Sequence, residues 1–424
     1  MAETIDLGLD FGSIFFRAAY MLDHEVVPVP ISRSERAWSG AVFTADPQAH
    51  KPFLFESLKS RLGAGGQLIL FGPDRATITE RVRELLALFK AHVEDYAGCA
   101  IRRVVIVVPG YYPDVQRAAV RQIAEVVGFQ QVELISDCRA AALGYTTLVT
   151  LEQPLHLLVF SMGFMGFEVS LIVVDQEGCH KIADWGGLGP SGRDIDRLLM
   201  ETCVAEAEGR NMPLPFIDDL DQSAWRDFRD VVEEAKKRLG LGEDVQITLP
   251  ANFTAKFPLP MLLRVADFEA AVQGYVEQAM ETVTQVLAAG QTRPPQVDKV
   301  LLVGGTTRLP SFQAGLEALF GPNLIQPREN LLARGAAVYA AGEDTVPEIW
   351  ETPAPLVELS QTGTQTKSRH RQASEIQNPP TPEAILSYAQ TLADARDYDA
   401  ATEYLTRILE SIQTAWAHMV SQRG

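Results

Sequence analysis

The feature that most restricts the fold of this sequence is a module that occurs twice: an apolar strand, a glycine-bearing turn and a hairpin. Residues 5–12 read as a strand, followed by 17–22 and, after Asp23-His24, by 26–31. The same order returns with a strand at 155–160, a turn at 161–166, a strand at 167–174 and a hairpin about Gln176-Glu177-Gly178. This weak internal repeat points to two α/β lobes of related design. Helical spacing fills the intervals. Ile78, Val82, Leu85, Phe89 and Val93 share one helix face, Thr77 with Glu80 forms a capping box, and Gly98 is a stop. A buried-type strand at 104–108, a helix at 113–127 closed by Gly128, a strand at 132–135 and a helix from 140 follow. The second lobe ends with the strand 299–303, the turn Gly304-Gly305-Thr306-Thr307-Arg308 and helices reaching Ala341.

Charge narrows the partners. The 424 residues carry 37 basic and 55 acidic side chains, a net charge of −18, so neither nucleic acid nor an anionic membrane is expected as a main partner. A phosphate site remains open, because local amides and one or two cations suffice to build it. Cys99, Cys138, Cys179 and Cys203 form no CxxC pair, and His92, His156 and His180 show no ligand spacing. No zinc or redox site is expected, and a reduced, cytoplasmic setting fits. Met1-Ala2-Glu3-Thr4 lacks a basic segment ahead of an apolar one, so no secretory signal is expected. The most apolar long stretch, 155–174, contains Ser161 and Glu168 and alternates like strands, so no membrane-spanning helix is expected.

Three regions follow: 1–342 as two lobes (about 1–150 and 151–342), 343–381 as a linker, and 382–424 as a helical hairpin. In the middle region Pro347, Pro353, Pro355, Gly363, Pro379 and Pro380 sit among Ser, Thr and Gln, which reads as flexible. Its Lys367, Arg369, His370 and Arg371 form a short basic cluster that reads as solvated. Helical spacing resumes with Ala384, Tyr388 and Leu392, then Tyr398, Ala401, Leu405 and Ile408.

Five blocks in register, covering roughly residues 5 to 342, resemble the nucleotide-binding domain of the 70-kDa heat-shock chaperone (DnaK) family, within the actin-like ATPase fold. The first is Leu9-Asp10-Phe11-Gly12-Ser13, and the second Ser57-Leu58-Lys59-Ser60-Arg61-Leu62-Gly63. The most specific is Val107-Val108-Pro109-Gly110-Tyr111-Tyr112-Pro113-Asp114-Val115-Gln116-Arg117, continued by Ile135-Ser136-Asp137-Cys138-Arg139-Ala140-Ala141-Ala142-Leu143-Gly144-Tyr145. Glu233-Glu234-Ala235-Lys236-Lys237 resembles the helix that covers the adenine, and Val300-Leu301-Leu302-Val303-Gly304-Gly305-Thr306-Thr307-Arg308-Leu309-Pro310 the adenosine-binding turn.

The resemblance implies a cleft for ATP or ADP between the lobes, with Gly12, Ser13 and Gly163 at the phosphates. Glu233, Lys236 and Lys237 lie toward the ribose, and Gly304, Gly305, Thr306 and Arg308 against the base. It implies Asp10 as holder of a magnesium ion through water, with Lys59 and Asp137 as the catalytic pair. The chemistry is sound, since phosphates need amides that approach closely and glycine turns after strands supply them. Alone, each residue reads as an ordinary turn, a solvated lysine or an exposed ion pair; the shared register is what singles them out.

The second phosphate loop departs from the family. Ser161 stands in place of a carboxylate, Phe164 and Met165 in place of glycines, and Gly166 in place of a threonine. Ile14 replaces a threonine, Asp137 a glutamate and Gly240 a serine, and the segment between Ser13 and Val107 is short. The family's β-sandwich and lid have no counterpart in 343–424. Instead residues 384–411 resemble one tetratricopeptide repeat, most clearly at Asp397-Tyr398-Asp399-Ala400-Ala401-Thr402-Glu403-Tyr404-Leu405. One such unit cannot bury its own apolar face, so it is expected to pack on the lobes, pair with another copy or bind a protein partner's helix. Three functional readings remain open: a nucleotide-dependent switch with weak or absent hydrolysis, a nucleotide-free adaptor on a pseudo-ATPase scaffold, and a slow ATPase chaperone.

Overall fold

The computed structural model describes residues 4–12, 16–30, 41–45, 52–57, 62, 69–70, 77–209, 222–249, 259–326, 330–342, 344, 346 and 350. All belong to residues 1–359, one of the chain's two compact units; the other is 360–424. Ser13, Lys59, most of the expected linker and the expected hairpin at 382–424 lie outside the described residues.

Lobe I opens with β1 (Thr4–Phe11), β2 (Phe16–Leu22) and β3 (Glu25–Pro28). A small antiparallel sheet of β4 (Ala41–Ala45), β5 (Pro52–Ser57) and β6 (Ile69–Leu70) follows in the order β5-β4-β6. Then come α1 (Ile78–Ala97), β7 (Ala100–Val108), α2 (Asp114–Val127), β8 (Gln131–Ser136) and α3 (Asp137–Thr146). Lobe II comprises β9 (Leu155–Met162), β10 (Phe167–Asp175), β11 (Gly178–Gly187), α4 (Gly192–Gly209) and α5 (Gln222–Leu239). It continues with the hairpin β12 (Val245–Leu249) and β13 (Leu259–Leu263), α6 (Val265–Ala289), β14 (Lys299–Val303), α7 (Pro310–Phe320), β15 (Leu324–Ile325) and α8 (Leu331–Ala340).

The internal repeat is real at the level of topology. One sheet runs β3-β2-β1-β7-β8 and the other β11-β10-β9-β14-β15. In each, three antiparallel strands are extended by two parallel to the first. This is the two-lobed actin-like α/β fold expected from the sequence.

Strand alternation explains the layering. On β7, Val104, Ile106 and Val108 face a core that includes Phe89 of α1 and Ile123 of α2, while Val105 and Val107 face the opposite way. On β9, Leu158, Phe160 and Met162 enter the core of α4 to α7, while Leu157 and Val159 join Val105 and Val107. Apolar runs buried on both faces are what parallel strands between helices require. α3 and α8 form the layer shared by both sheets. At their crossing a Cβ on Gly335 would lie 1.8 Å from the Ala140 carbonyl oxygen, so no larger residue fits. Capping follows the sequence: Thr77 and Glu80 close a complete capping box on α1, and Gly98, at φ 69°, ends it in the left-handed conformation.

Candidate functional site

The carboxyl ends of β1, β7, β9 and β14 open onto one cavity of about 1160 Å³, where ligands of open parallel sheets bind. Lobe I contributes Asp10, Gly12, Arg17, Tyr111 and Asp137 to its wall. The turn after β9 contributes Gly163, Phe164 and Met165; α5 contributes Glu233, Lys236 and Lys237; the turn after β14 contributes Gly304, Gly305, Thr306 and Arg308. Every expected site residue within the described set therefore borders the same space.

Three lobe II turns are tied together, two by backbone and the third by a side chain. The Gly192 N–H donates to the Gly163 carbonyl (2.9 Å), the Arg193 N–H to the Phe164 carbonyl (2.9 Å) and the Gly163 N–H to the Gly166 carbonyl (3.0 Å). The Thr306 hydroxyl donates to the Gly163 carbonyl (3.1 Å), so this side chain holds the wall rather than projecting from it. Gly304 sits at φ 90°, and a Cβ there would meet the Met162 carbonyl oxygen at 2.3 Å. Only glycine fits both constraints. By contrast, a Cβ on Gly163 or Gly305 would meet nothing within 4 Å, which leaves room for a ligand beside the backbone.

On α5, residues spaced three and four apart take different duties. Lys236 forms an ion pair of 2.6 Å with buried Asp196 of α4 and donates to the Gly192 carbonyl at 3.3 Å. It thereby fixes α5 against the start of α4. Burial pushes the Asp196 carboxyl above its ordinary range, against the pull of Lys236. Glu233 pairs with Arg229 and, at 3.1 Å, with Lys237. Burial alone would raise its pKa, but these cations hold it below the usual value, so it is an anion at the cavity wall.

At the other end, all four residues of the turn Gly163–Gly166 line the cavity. Met165 is buried, and the Phe164 ring lies 5.9 Å from the Arg229 guanidinium. Tyr111 fills the space above Gly166, where a Cβ would fall 1.9 Å from its hydroxyl. Burial first, then Asp137 and Glu168, push the Tyr111 phenol upward, so it stays protonated. Glu168 is itself buried and accepts the Gly110 N–H at 2.9 Å; burial and then Asp137 raise its carboxyl to about 8. In lobe I, Asp10 is 6% exposed, and its Oδ2 lies 3.8 Å from Nη1 of Arg17.

A family model described as Hsp70 protein matches residues 75–349 of this sequence. The chain belongs to the Hsp70 family. It is 28% identical over 357 residues to the chaperone protein DnaK of Thermosipho melanesiensis, covering 79% of this chain and 59% of that one. It is 27% identical over 356 residues to the chaperone protein DnaK of Thermosipho africanus, covering 79% and 58%. The chain thus spans less than two thirds of the length of these relatives.

Proteins of the Hsp70 family bind ATP or ADP with magnesium, and the magnesium can be tested against the donors present here. Of the acidic positions the family implies, Ser161 is uncharged and Asp10 faces a guanidinium, while Asp137 keeps a carboxylate at the cavity wall. Among the described residues, no three His, Cys, Asp or Glu side chains are grouped to hold a metal ion. With the carboxylate at 161 lost and Asp10 facing a guanidinium, these donors are a poor fit for a magnesium ion at Asp10.

Sequence reasoning missed Arg17, Tyr111 and Arg193 as parts of the site. Gly-Pro-Ser-Gly ahead of an amphipathic helix was a usable signal for residues 192 and 193. Arg17 had none, because its place depends on the length of the turn after Phe11. Among the described residues no helix is long and apolar enough to cross a membrane.

Proposed function

We propose that this member of the Hsp70 family binds an adenine nucleotide in the cleft and acts as a nucleotide-dependent switch read by a protein partner, with weak or absent ATP hydrolysis. One arrangement supports this reading above all. The Asp10–Gly12 corner of one lobe and the Gly163 and Gly304–Arg308 turns of the other border a single cavity, with open space beside Gly163 and Gly305. Its volume, about 1160 Å³, exceeds the roughly 300–1,000 Å³ of common small-molecule sites. In this reading Arg308 stacks on the base, Glu233 and Lys237 meet the ribose, and the Gly12 and Gly163 amides meet the phosphates.

Weak hydrolysis follows from the phosphate end. Ser161 cannot position a metal ion or a water as a carboxylate would, and Tyr111 occupies the space a side chain at 166 would need. Loss of one preorganised polar group in a reaction site costs roughly 10²–10³ in rate, and more than one is changed here. The cytoplasm is the proposed setting, and the hairpin expected at 382–424 the proposed contact for the partner.

Calorimetry of the full chain with ATP and ADP tests the reading. A dissociation constant tighter than about 100 μM, about −5.5 kcal/mol, is expected. Absence of binding would leave the nucleotide-free adaptor. Steady-state phosphate release is expected to be equal for the wild type and Lys59→Ala; a faster wild type would favour the slow ATPase.

A further inference from the structure

We propose that the Arg17 guanidinium takes the place of a divalent cation at Asp10, so that this chain binds its nucleotide without a metal ion. The inference rests on the nucleotide reading of the cleft and adds to it how phosphate charge is met.

The backbone carries the argument. β1 and β2 pair antiparallel with Asp10 directly opposite Arg17 and Phe11 opposite Phe16. Phe11 and Phe16 pack edge to face, with ring centroids 4.8 Å apart, in the lobe I core. Alternation then places Asp10 and Arg17 together on the other face of the ribbon. That face bears the cavity, and both residues line it beside Gly12. Register thus brings the two side chains within reach of each other, with Nη1 and Oδ2 3.8 Å apart.

A hydrated magnesium ion needs free carboxylates to accept from its waters. Asp10 already faces a permanent cation and at Ser161 a neutral hydroxyl stands, which leaves, of the three positions, the carboxylate of Asp137 at the cavity wall. A guanidinium has five N–H donors in a planar fork, enough to hold a carboxylate and still present a pair to phosphate oxygens. Arg193, at the start of α4 in the facing lobe and 3.7 Å from Asp194, lines the same cavity and adds a second guanidinium. Two guanidinium groups at the cavity wall put positive charge where a divalent ion would bring it.

The test is calorimetry of ADP binding to the full chain, in magnesium chloride and in EDTA. The wild type is expected to bind with the same affinity within about threefold in the two buffers, and Arg17→Gln to lose about tenfold or more in EDTA. A wild type at least about tenfold weaker in EDTA would overturn the inference while leaving the nucleotide reading standing. So would Arg17→Gln that binds in EDTA as tightly as the wild type. No binding in either buffer would overturn both. Should Arg17→Gln fail to fold, as judged by its melting curve, the comparison of buffers on the wild-type chain still decides.

Discussion

Arg139 of α3 holds Asp344, just beyond α8, through Nε at 3.2 Å and Nη2 at 2.6 Å, with side chains only 7% and 2% exposed. The same guanidinium also donates to the Val346 carbonyl and lies 5.2 Å over the Tyr339 ring. The Val346 N–H returns to Oδ1 of Asp344 at 3.0 Å. Gly178, at φ 136°, makes room for this knot, because a Cβ there would meet Asp344 at 2.5 Å. A buried charge is tolerated only when paired, so the segment after α8 is locked to the layer that both lobes share.

Asp344→Ala therefore strands a buried guanidinium and is expected to cost about 3–5 kcal/mol. The double variant Arg139→Met, Asp344→Leu removes both charges and should cost much less. Urea denaturation of the three proteins with a common slope checks this. A double variant no more stable than Asp344→Ala would show that the knot acts through something other than charge pairing.

The same contacts set where the chain can be cut. Trp350 stacks on the Arg117 guanidinium at 4.6 Å and packs against the lobe I core. A chain ending at 342 is expected to melt well below one ending at 359, since it loses both Asp344 and Trp350. Equal melting temperatures for the two would sink the idea.

Much of the fold was legible in the residues, because it depends on local patterns. Thr77, Glu80 and Gly98 bound α1 through contacts within a few residues, and the apolar run at 104–108 reads directly as a strand buried on both faces. Pairings across the fold were not legible. Asp344 lies within the 343–381 stretch, whose Pro, Ser and Thr content reads as flexible, yet it is buried; composition averages over residues and does not register one carboxylate with one distant arginine. Arg17 belongs to the same class, since its partner is set by strand register. Within the site, the glycine turns were readable as ligand-facing, whereas the duties of Lys236 and Thr306 were not. Both border the cavity but direct their polar ends into the wall, toward Asp196 and the Gly163 carbonyl.

The two glycines of the β14 turn separate binding from stability. Gly305→Asp places a carboxylate in open space, so it should fold normally and lose nucleotide affinity by about 100-fold or more, about 2.7 kcal/mol. Gly304→Ala strains a left-handed residue against the Met162 carbonyl and should lower the melting temperature first. Calorimetry and thermal melts on both variants check the split. Undiminished binding by a folded Gly305→Asp chain would place the ligand elsewhere.

Glu168 predicts a pH dependence of stability. Its carboxyl is raised from 4.5 to about 8 by burial, then by Asp137, with Asp184 adding to the effect and the Gly110 N–H and Cys138 opposing it. A folded carboxyl raised above its unfolded value binds more protons than the unfolded chain between those two values. Its contribution is therefore fully present below about 4.5 and declines as pH rises to about 8. Glutamine mimics the protonated form and can still accept the Gly110 N–H, so Glu168→Gln should be more stable than the wild type at pH 8, with the gap closing toward pH 5. Chemical denaturation of both proteins across that range measures it. A gap of opposite sign, or one that widens toward acid, would show that Glu168 is held ionised within the fold.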